Sequence, residues 1–309
     1  MQQFAVETVK LTKLYGNTVG VSNLDLRIPQ GSIYGLLGPN GAGKTTTCNI
    51  LCGFMQQSSG TVRLYSQDLS EKVRLNIKVS ALPQECNLPS TIKTEKLLHY
   101  FASLSGYSKN EAKQVSSELL KKVGLDDKKN EYIKRLSHGM KKRLQVAQAF
   151  LGEPQLIILD EPTAGLDPQN AHAIRELIKS FRTRSTILFC SHNLNEVQEI
   201  CAYVGILKNG TLIKEGPIEE ITHVHEEVIF TVAQLEDEKN VREKINRLSF
   251  VKQVLFDAET NELHIQFDKD SISSEEINTQ IISILQNENV LISSIRKGKS
   301  LEEKYLELM

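Results

Sequence analysis

The chain has 309 residues, more than one average domain, and 40% of them are apolar, which is enough to build real cores. Its 37 basic and 38 acidic residues give a net charge of −1, which excludes the strongly basic surface of a dedicated nucleic-acid binder. The longest apolar stretch, residues 200–207, is far shorter than the roughly 20 residues of a membrane-spanning helix. We therefore expect two domains in a cytosolic protein, without a membrane span or a secretory signal.

The cysteines are odd in number and are not spaced with histidines as in a metal site. This pattern favours reduced, buried thiols over a disulfide framework. The five positions are Cys48, Cys52, Cys86, Cys190 and Cys201.

The first 32 residues alternate between apolar and polar positions on both sides of a turn at Gly16-Asn17, which predicts antiparallel strands. A continuous apolar run at residues 33–37 follows, then a glycine-rich turn and a segment, 44–53, without a helix breaker. This order predicts a buried strand, a loop and a helix.

Apolar residues spaced three and four apart predict helix at 97–123, within an inserted helical subdomain at about residues 87–150. A strand buried on both faces is predicted at residues 156–159, and a mixed α/β domain ends near residue 220. Its remaining predicted elements are a helix at 169–182 and strands at 186–190, 203–208 and 211–214.

The composition changes after this point. Residues 221–309 hold 10 basic and 17 acidic residues, a net charge of −7, whereas residues 1–220 hold 27 and 21, a net charge of +6. We therefore predict a second domain at residues 221–309, a small α+β unit with the ferredoxin-like order β-α-β-β-α-β. Its predicted strands are 228–232, 251–256, 262–267 and 290–295, its helices are 241–248 and 274–286, and the tail at 301–308 could add a short helix.

The strongest motif lies between the strand at 33–37 and the helix that begins at Lys44, and it satisfies G-x-x-x-x-G-K-[ST]. In such a P-loop the glycines let backbone N–H groups face phosphates, the lysine reaches the β and γ oxygens, and the following hydroxyl serves Mg²⁺. The sequence therefore predicts binding of a nucleoside triphosphate with Mg²⁺. The candidate residues are Gly38, Pro39, Asn40, Gly41, Ala42, Gly43, Lys44, Thr45 and Thr46.

Two carboxylates, Asp160 and Glu161, follow the strand at 156–159, at the sheet edge where open α/β folds bind ligands. Asp160 suits the Mg²⁺ shell, together with Thr45. Glu161 can face an attacking water and act as general base, which a protein that only binds the nucleotide would not need.

Further segments fall into a recognisable order. Leu136-Ser137-His138-Gly139-Met140 resembles the signature sequence (consensus L-S-G-G-Q) of ABC transporter ATPases and directly precedes an amphipathic helix. With the P-loop, Asp160-Glu161, Gln84, Asp167 and His192, the chain resembles an ABC ATPase from residue 5 to about 220. The resemblance implies an α/β P-loop NTPase domain with an antiparallel β subdomain and a helical subdomain.

The resemblance also implies roles for single residues. Tyr15 stacks on adenine, Gln84 senses the γ-phosphate and Mg²⁺ and faces the transport partner, and His192 contacts the γ-phosphate. Ser137 and Gly139 complete the ATP site of a second subunit, and Asp167 links the two sites. Two positions depart from the consensus: His138 adds bulk and a titratable group near the phosphate, and Met140 replaces glutamine.

The ending at residues 301–306 resembles that of ATP-binding subunits in multidrug, antibiotic-resistance and polysaccharide export systems. The implied function is an ATPase subunit that works as a homodimer or with a related chain, at the inner face of the membrane, and powers export through a separate permease without nucleic acid.

Two alternatives remain: a soluble ABC-type ATPase that acts on ribosomes or nucleic acid, and a regulatory nucleotide-binding module without turnover. The single P-loop and the acidic second domain weigh against the first. The presence of Glu161 and His192 weighs against the second. The sequence does not indicate the transported substrate or the role of the second domain, which is regulatory, passive or, as we favour, part of a longer dimer interface.

Overall fold

The computed structural model describes residues 3–69, 77–181, 185–222, 227–233, 235, 237–268, 274–298, 301 and 305–306, with the side chains of 274 and 275 left out. The chain divides into two compact units, Met1–Gly216 and Pro217–Met309.

The first unit contains two sheets and the helices that cover them. Its strands are β1 (Phe4–Tyr15), β2 (Thr18–Leu24), β3 (Arg27–Pro29), β4 (Ile33–Leu37), β5 (Ser59–Leu64), β6 (Gln67–Asp68), β7 (Val79–Leu82), β8 (Leu156–Asp160), β9 (Thr186–Ser191), β10 (Tyr203–Lys208) and β11 (Thr211–Pro217). Its helices are α1 (Lys44–Leu51), α2 (Thr94–Leu104), α3 (Lys109–Lys122), α4 (His138–Ala149), α5 (Pro168–Ser180) and α6 (Leu194–Ile200).

The smaller sheet is antiparallel, as the alternation in the first 32 residues predicts. Its strands lie in the order β2-β1-β5-β6, and β3 pairs with β1. Val6, Leu24 and Ile28 are fully buried, whereas Val9 and Val19 are about half exposed. The alternation therefore follows burial at some of its apolar positions and not at others.

The larger sheet has the order β11-β10-β4-β9-β8-β7, and the neighbours from β10 to β7 run parallel. Every residue of β4, β8 and β9 is buried, which accounts for their continuous apolar runs. Leu37 pairs with Ser191 and Asp160 pairs with Cys190, so β4, β8 and β9 end side by side. The loops that follow these three strands therefore meet at one edge.

The predicted helical insertion is present as separate helices. The segment predicted as helical at 97–123 forms α2 and α3, divided by Gly106 in a left-handed conformation with φ +92°. Ser108 then begins α3 with a capping box, in which its hydroxyl accepts from the Glu111 N–H and Glu111 accepts from the Ser108 N–H.

Among the described residues, the elements without a counterpart in the sequence prediction are β5, β6, β7, α6 and a short helix at Ile218–Thr222. Each is short, seven residues or fewer, and β7 spans just Val79–Leu82. In α6 the apolar residues are interspersed with polar ones, so no apolar period is visible in the sequence. Asn193 caps the start of this helix by accepting from two backbone N–H groups. Such short segments give too few periods for a pattern to emerge.

The second unit has the predicted element order. After α7 (Ile218–Thr222) come β12 (Glu227–Val232), α8 (Glu238–Asn246), β13 (Val251–Asp257), β14 (Glu262–Phe267), α9 (Ser274–Asn287) and β15 (Ile292–Lys297). The strands form one antiparallel sheet in the order β13-β14-β12-β15, and its core includes Phe230, Ile265 and Ile281. The helix considered for residues 301–308 falls mostly outside the described residues.

None of the helices in the described ranges is long and apolar enough to span a bilayer.

Candidate functional site

The loop between β4 and α1 has a backbone that only glycine accommodates at some positions. Gly41 and Gly43 have φ values of +81° and +106°. A Cβ atom at Gly43 would lie 2.7 Å from the Gly20 carbonyl oxygen, and one at Gly38 would lie 2.6 Å from that of Leu207. The glycines of the motif are therefore required by the path of the chain.

Lys44 begins α1 and turns its side chain back along the loop. Its Nζ donates to the carbonyl oxygens of Gly38, at 2.6 Å, and Pro39, at 3.2 Å, and the residue is 6% exposed. The ammonium is thus held at the concave face of the loop, where a phosphate would approach the backbone N–H groups.

Thr45 and Asp160 meet although 115 residues separate them. The Thr45 hydroxyl donates to Asp160 Oδ2 at 2.8 Å, and the other carboxylate oxygen, Oδ1, is buried with no hydrogen-bond partner among the described residues. Burial raises the pKa of Asp160, although the hydrogen bond from Thr45 lowers it. A buried carboxylate oxygen without a partner is costly, and a cation bound there would satisfy it.

Glu161 lies beside this pair in an unusual backbone conformation, with φ +50°. His192 Nδ1 lies 2.9 Å from both carboxylate oxygens of Glu161, and Lys44 Nζ lies 3.9 Å from Oε1. Glu161 is 5% exposed, whereas the His192 side chain is 61% exposed. His192 therefore orients the carboxylate from the solvent side.

One pocket of about 380 Å³ brings most of the predicted residues together. Tyr15 is 44% exposed at its wall, and its hydroxyl contacts Thr46 Oγ1 at 3.4 Å and Met55 Sδ at 3.0 Å. Gln84 lies at the same wall. The predicted residues that line it are Tyr15, Asn40, Gly41, Ala42, Gly43, Lys44, Thr45, Thr46, Gln84, Asp160 and Glu161.

The pocket also has lining residues that the sequence prediction lacks, namely Thr18, Val19 and Gly20. They follow the predicted turn at Gly16-Asn17 and begin β2. The hairpin places them beside Tyr15, and a Cβ at Gly20 would lie 2.7 Å from the tyrosine ring. The turn at Gly16-Asn17 predicts that these residues lie beside Tyr15. The sequence does not predict that the hairpin packs next to the P-loop.

A buried polar network supports the loop that follows β8. Thr163 donates to Glu196 Oε2 at 2.6 Å, and Arg175 pairs with Glu196 Oε1 at 3.2 Å. Glu196 is 6% exposed. These contacts join the loop to α5 and α6 and fix the segment next to Glu161, and the sequence prediction includes none of them.

The signature residues lie elsewhere. Among the described residues that line the pocket, neither Ser137 nor Gly139 is present. Ser137 is exposed and caps α4, where its hydroxyl accepts from the Met140 N–H at 3.3 Å. His138 is exposed, and a Cβ at Gly165 would lie 3.7 Å from its ring.

Asp167 is likewise absent from the described lining of that pocket, and it caps α5. Its two carboxylate oxygens accept from the Asn170 backbone N–H at 3.0 Å and from the Asn170 side-chain amide at 2.6 Å. The backbone hydrogen bond holds the pKa of Asp167 below its ordinary value. The starts of α4 and α5 thus present a second set of polar groups, separate from the pocket.

The two sets differ in the chemistry that they can perform. The pocket offers backbone N–H groups and an ammonium for phosphate, a hydroxyl and carboxylate for a divalent cation, and a carboxylate oriented by a histidine for a water. The start of α4 offers a hydroxyl, N–H groups and a helix dipole, which together suit an anion brought to it.

Known proteins are similar to this chain in both sequence and fold. A family model described as ABC transporter matches residues 21–164. Nod factor export ATP-binding protein I of Cupriavidus pinatubonensis is 38% identical over 213 residues, which are 68% of this chain and 66% of that protein. Linearmycin resistance ATP-binding protein LnrL of Bacillus subtilis is 33% identical over 213 residues, 68% of each chain.

The chain therefore matches about two thirds of the length of each relative. The solved structure of an ATP-binding subunit of an ABC transporter superposes with a TM-score of 0.64 at 27% identity, over 71% of this chain and 92% of that one.

Proposed function

The chain belongs to the ATP-binding subunits of ABC transporters, which hydrolyse ATP. We propose that two such subunits bind ATP and Mg²⁺ between them and power export. The observation that carries the proposal is the division of the site. Lys44, Thr45, Asp160 and Glu161 share one pocket, whereas Ser137 and Gly139 lie outside its described lining.

The P-loop would hold the triphosphate. Lys44 is already directed by the carbonyl oxygens of Gly38 and Pro39, so little side-chain entropy is lost when a phosphate arrives. Tyr15 is exposed enough at the pocket wall to stack on the adenine ring.

The residues present fit Mg²⁺. Asp160 Oδ1 is buried without a partner, and the Thr45 hydroxyl lies next to Oδ2, which gives oxygen ligands of the kind that Mg²⁺ prefers. Gln84 could supply a third oxygen from the pocket wall. When bound, Mg²⁺ offsets the charge on the phosphate oxygens.

Glu161 would accept a proton from the attacking water. His192 Nδ1 lies 2.9 Å from both carboxylate oxygens, so a proton on Nδ1 orients the carboxylate and leaves Nε2 free to approach a phosphate. This arrangement favours turnover over a regulatory module that merely binds nucleotide.

A second subunit would complete each site. Ser137 and Gly139 stand at the start of α4, where a hydroxyl, N–H groups and the helix dipole favour an anion. We propose that they contact the γ-phosphate held by the partner subunit's P-loop, and that Asp167 links the two sites. The pairing joins two copies of this chain or one copy and a related subunit.

The transport partner would be a separate membrane-spanning permease that holds the subunit at the inner face of the membrane. Two relatives support export, since one is named for Nod factor export and the other for linearmycin resistance. The balanced net charge of −1 gives no support to a nucleic-acid partner.

For the domains we propose an ATP-binding domain at 1–220, with its helical subdomain at about 87–150, and an accessory domain at 221–309. The strand order β13-β14-β12-β15 with two helices supports a ferredoxin-like fold for the accessory domain. We favour a role in lengthening the dimer interface.

Two experiments test the proposal. Purified chain should release phosphate from ATP only with Mg²⁺, and this activity should fall in Lys44→Ala because ATP binds more weakly. A tagged chain purified from detergent-solubilised membranes should bring a membrane-spanning protein with it, identified by mass spectrometry. Recovery of ribosomal proteins instead would favour the soluble alternative.

A further inference from the structure

Two cysteines that are distant in sequence lie in contact behind the ATP pocket. Cys48 in α1 and Cys190 in β9 are 142 residues apart, yet their sulfur atoms lie 3.2 Å from each other. They are 4% and 0% exposed, and both are free thiols. The expected burial is confirmed for this pair, but the contact between them was not predicted.

The pair joins the two elements that carry the reactive groups. Cys48 lies one helical turn after Lys44, on the same face of α1. Cys190 pairs with Asp160 across the sheet, and its carbonyl oxygen accepts from the Glu161 N–H at 3.0 Å. The two sulfur atoms and a carboxylate oxygen of Asp160 all lie within 4.8 Å of one another.

We propose that Cys48 and Cys190 form a reversible disulfide when the protein meets a peroxide, and that this bond slows ATP hydrolysis. Hydrogen peroxide oxidises one thiol to a sulfenic acid and is reduced to water. The second sulfur then attacks the first, the S–O bond breaks, and the hydroxyl leaves with a proton as water. In total, two thiols and one peroxide give one disulfide and two waters.

The two sulfur atoms lie close enough to form a disulfide, but its formation is expected to displace the groups around them. A disulfide has an S–S length of about 2.05 Å, so the two sulfur atoms must approach by roughly 1 Å from their present separation. Because the surrounding core is close-packed, we expect α1 and β9 to move toward each other as the sulfur atoms close this gap. Such a movement would shift Lys44 and Thr45 relative to Asp160, and a misplacement of about 1 Å can lower a reaction rate by up to roughly a hundredfold.

The oxidation is expected to be slow. The hydrogen bond to Cys190 and burial hold the pKa of Cys48 well above its usual range, so the reactive thiolate is scarce. Cys52 lies one turn further along α1 and is partly exposed, and burial raises its pKa to about 12. Cys52 therefore serves as a matched control: it is more accessible than Cys48 but not in the proposed bond.

The experiment uses the full-length chain treated with hydrogen peroxide. Free thiols are alkylated, peptides are mapped by mass spectrometry without reduction, and phosphate release is measured before treatment, after it, and after dithiothreitol. We expect a Cys48–Cys190 peptide, a loss of turnover of about tenfold, and recovery on reduction. Cys48→Ala and Cys190→Ala should each keep their turnover through the treatment, whereas Cys52→Ser should lose it like the unmodified chain.

Several results would overturn the inference: a map in which either thiol stays reduced or pairs elsewhere, a Cys48–Cys190 bond that leaves turnover unchanged, or inhibition that persists in both alanine variants. Thermal unfolding of the two variants checks that each is folded, and either one suffices for the comparison. The inference rests on the proposed ATP turnover. The peptide map detects the disulfide even in a chain without ATPase activity, so a failure of the ATPase proposal is recognised separately.

Discussion

The P-loop pocket and the starts of α4 and α5 differ in what their polar groups contact. In the pocket the groups contact each other: Lys44 approaches Glu161, and Thr45 donates to Asp160. At the helix starts each group contacts its own helix, since Ser137 accepts from the Met140 N–H and Asp167 from the Asn170 N–H. The first set can bind a ligand within one chain, whereas for the second set we propose a ligand that another subunit holds.

Glu161→Gln should have the largest effect, because it removes the proposed proton acceptor but keeps the shape of the pocket. Turnover should fall by about 100-fold to 10,000-fold while ATP still binds. The nucleotide should then hold two subunits together, which size exclusion with light scattering will detect. Glu176→Gln on the exposed face of α5 is the matched control. A variant that stays monomeric at full ATP occupancy would contradict the shared site.

Lys44→Ala should weaken ATP binding itself. The loss of charged hydrogen bonds to phosphate, about 1.5–3 kcal/mol each, corresponds to a decrease in affinity of roughly 100-fold. Isothermal titration calorimetry measures this directly, with Lys141→Ala in α4 as the control. An unchanged dissociation constant would show that the pocket does not hold the phosphates as described.

Ser137→Ala should distinguish the contributions of the two regions to ATP binding and to turnover. ATP affinity of the single subunit should stay the same because Ser137 does not line the pocket, whereas turnover should fall by about tenfold because a hydrogen bond in the shared site is lost. The change also removes a helix cap worth about 1 kcal/mol.

Ser108→Ala controls for that cap, because Ser108 caps α3 in the same way without belonging to either region. Equal losses of turnover in the two variants would mean that Ser137 matters solely for the stability of its helix.

His138→Gly should have the smallest effect. It restores the consensus glycine and removes a side chain beside Gly165, so ATP-driven pairing in the Glu161→Gln background should strengthen by less than about tenfold. The dissociation constant of the pair, measured by sizing over a range of concentrations, gives the answer. Weaker pairing would show that the imidazole supports the contact.

The sequence predicted the parts of the fold and site in which neighbouring residues act together. The run of β4, the P-loop and α1 is contiguous, and Asp160-Glu161 directly follows a buried strand, so both could be predicted from local pattern. The element order of the second unit was also predictable, because its strands and helices are long enough to show their period.

The remainder depends on contacts between distant segments. The Thr18–Gly20 wall, the Thr163–Glu196 hydrogen bond and the Cys48–Cys190 contact bring together residues whose local sequence gives no sign of the partner. Short elements such as β7 and α6 were missed because tertiary packing, not periodicity, determines them.

Cross-linking between two differently tagged chains tests most directly whether Ser137 of one copy meets the P-loop of another. One chain carries Ser137→Cys and the other Asn40→Cys, at an exposed position of the pocket, both in the Glu161→Gln background. With a short bis-maleimide, we expect a product containing one chain of each kind that forms when ATP and Mg²⁺ are present and not in their absence. No such product at full ATP occupancy, or the same yield without ATP, would contradict the shared site.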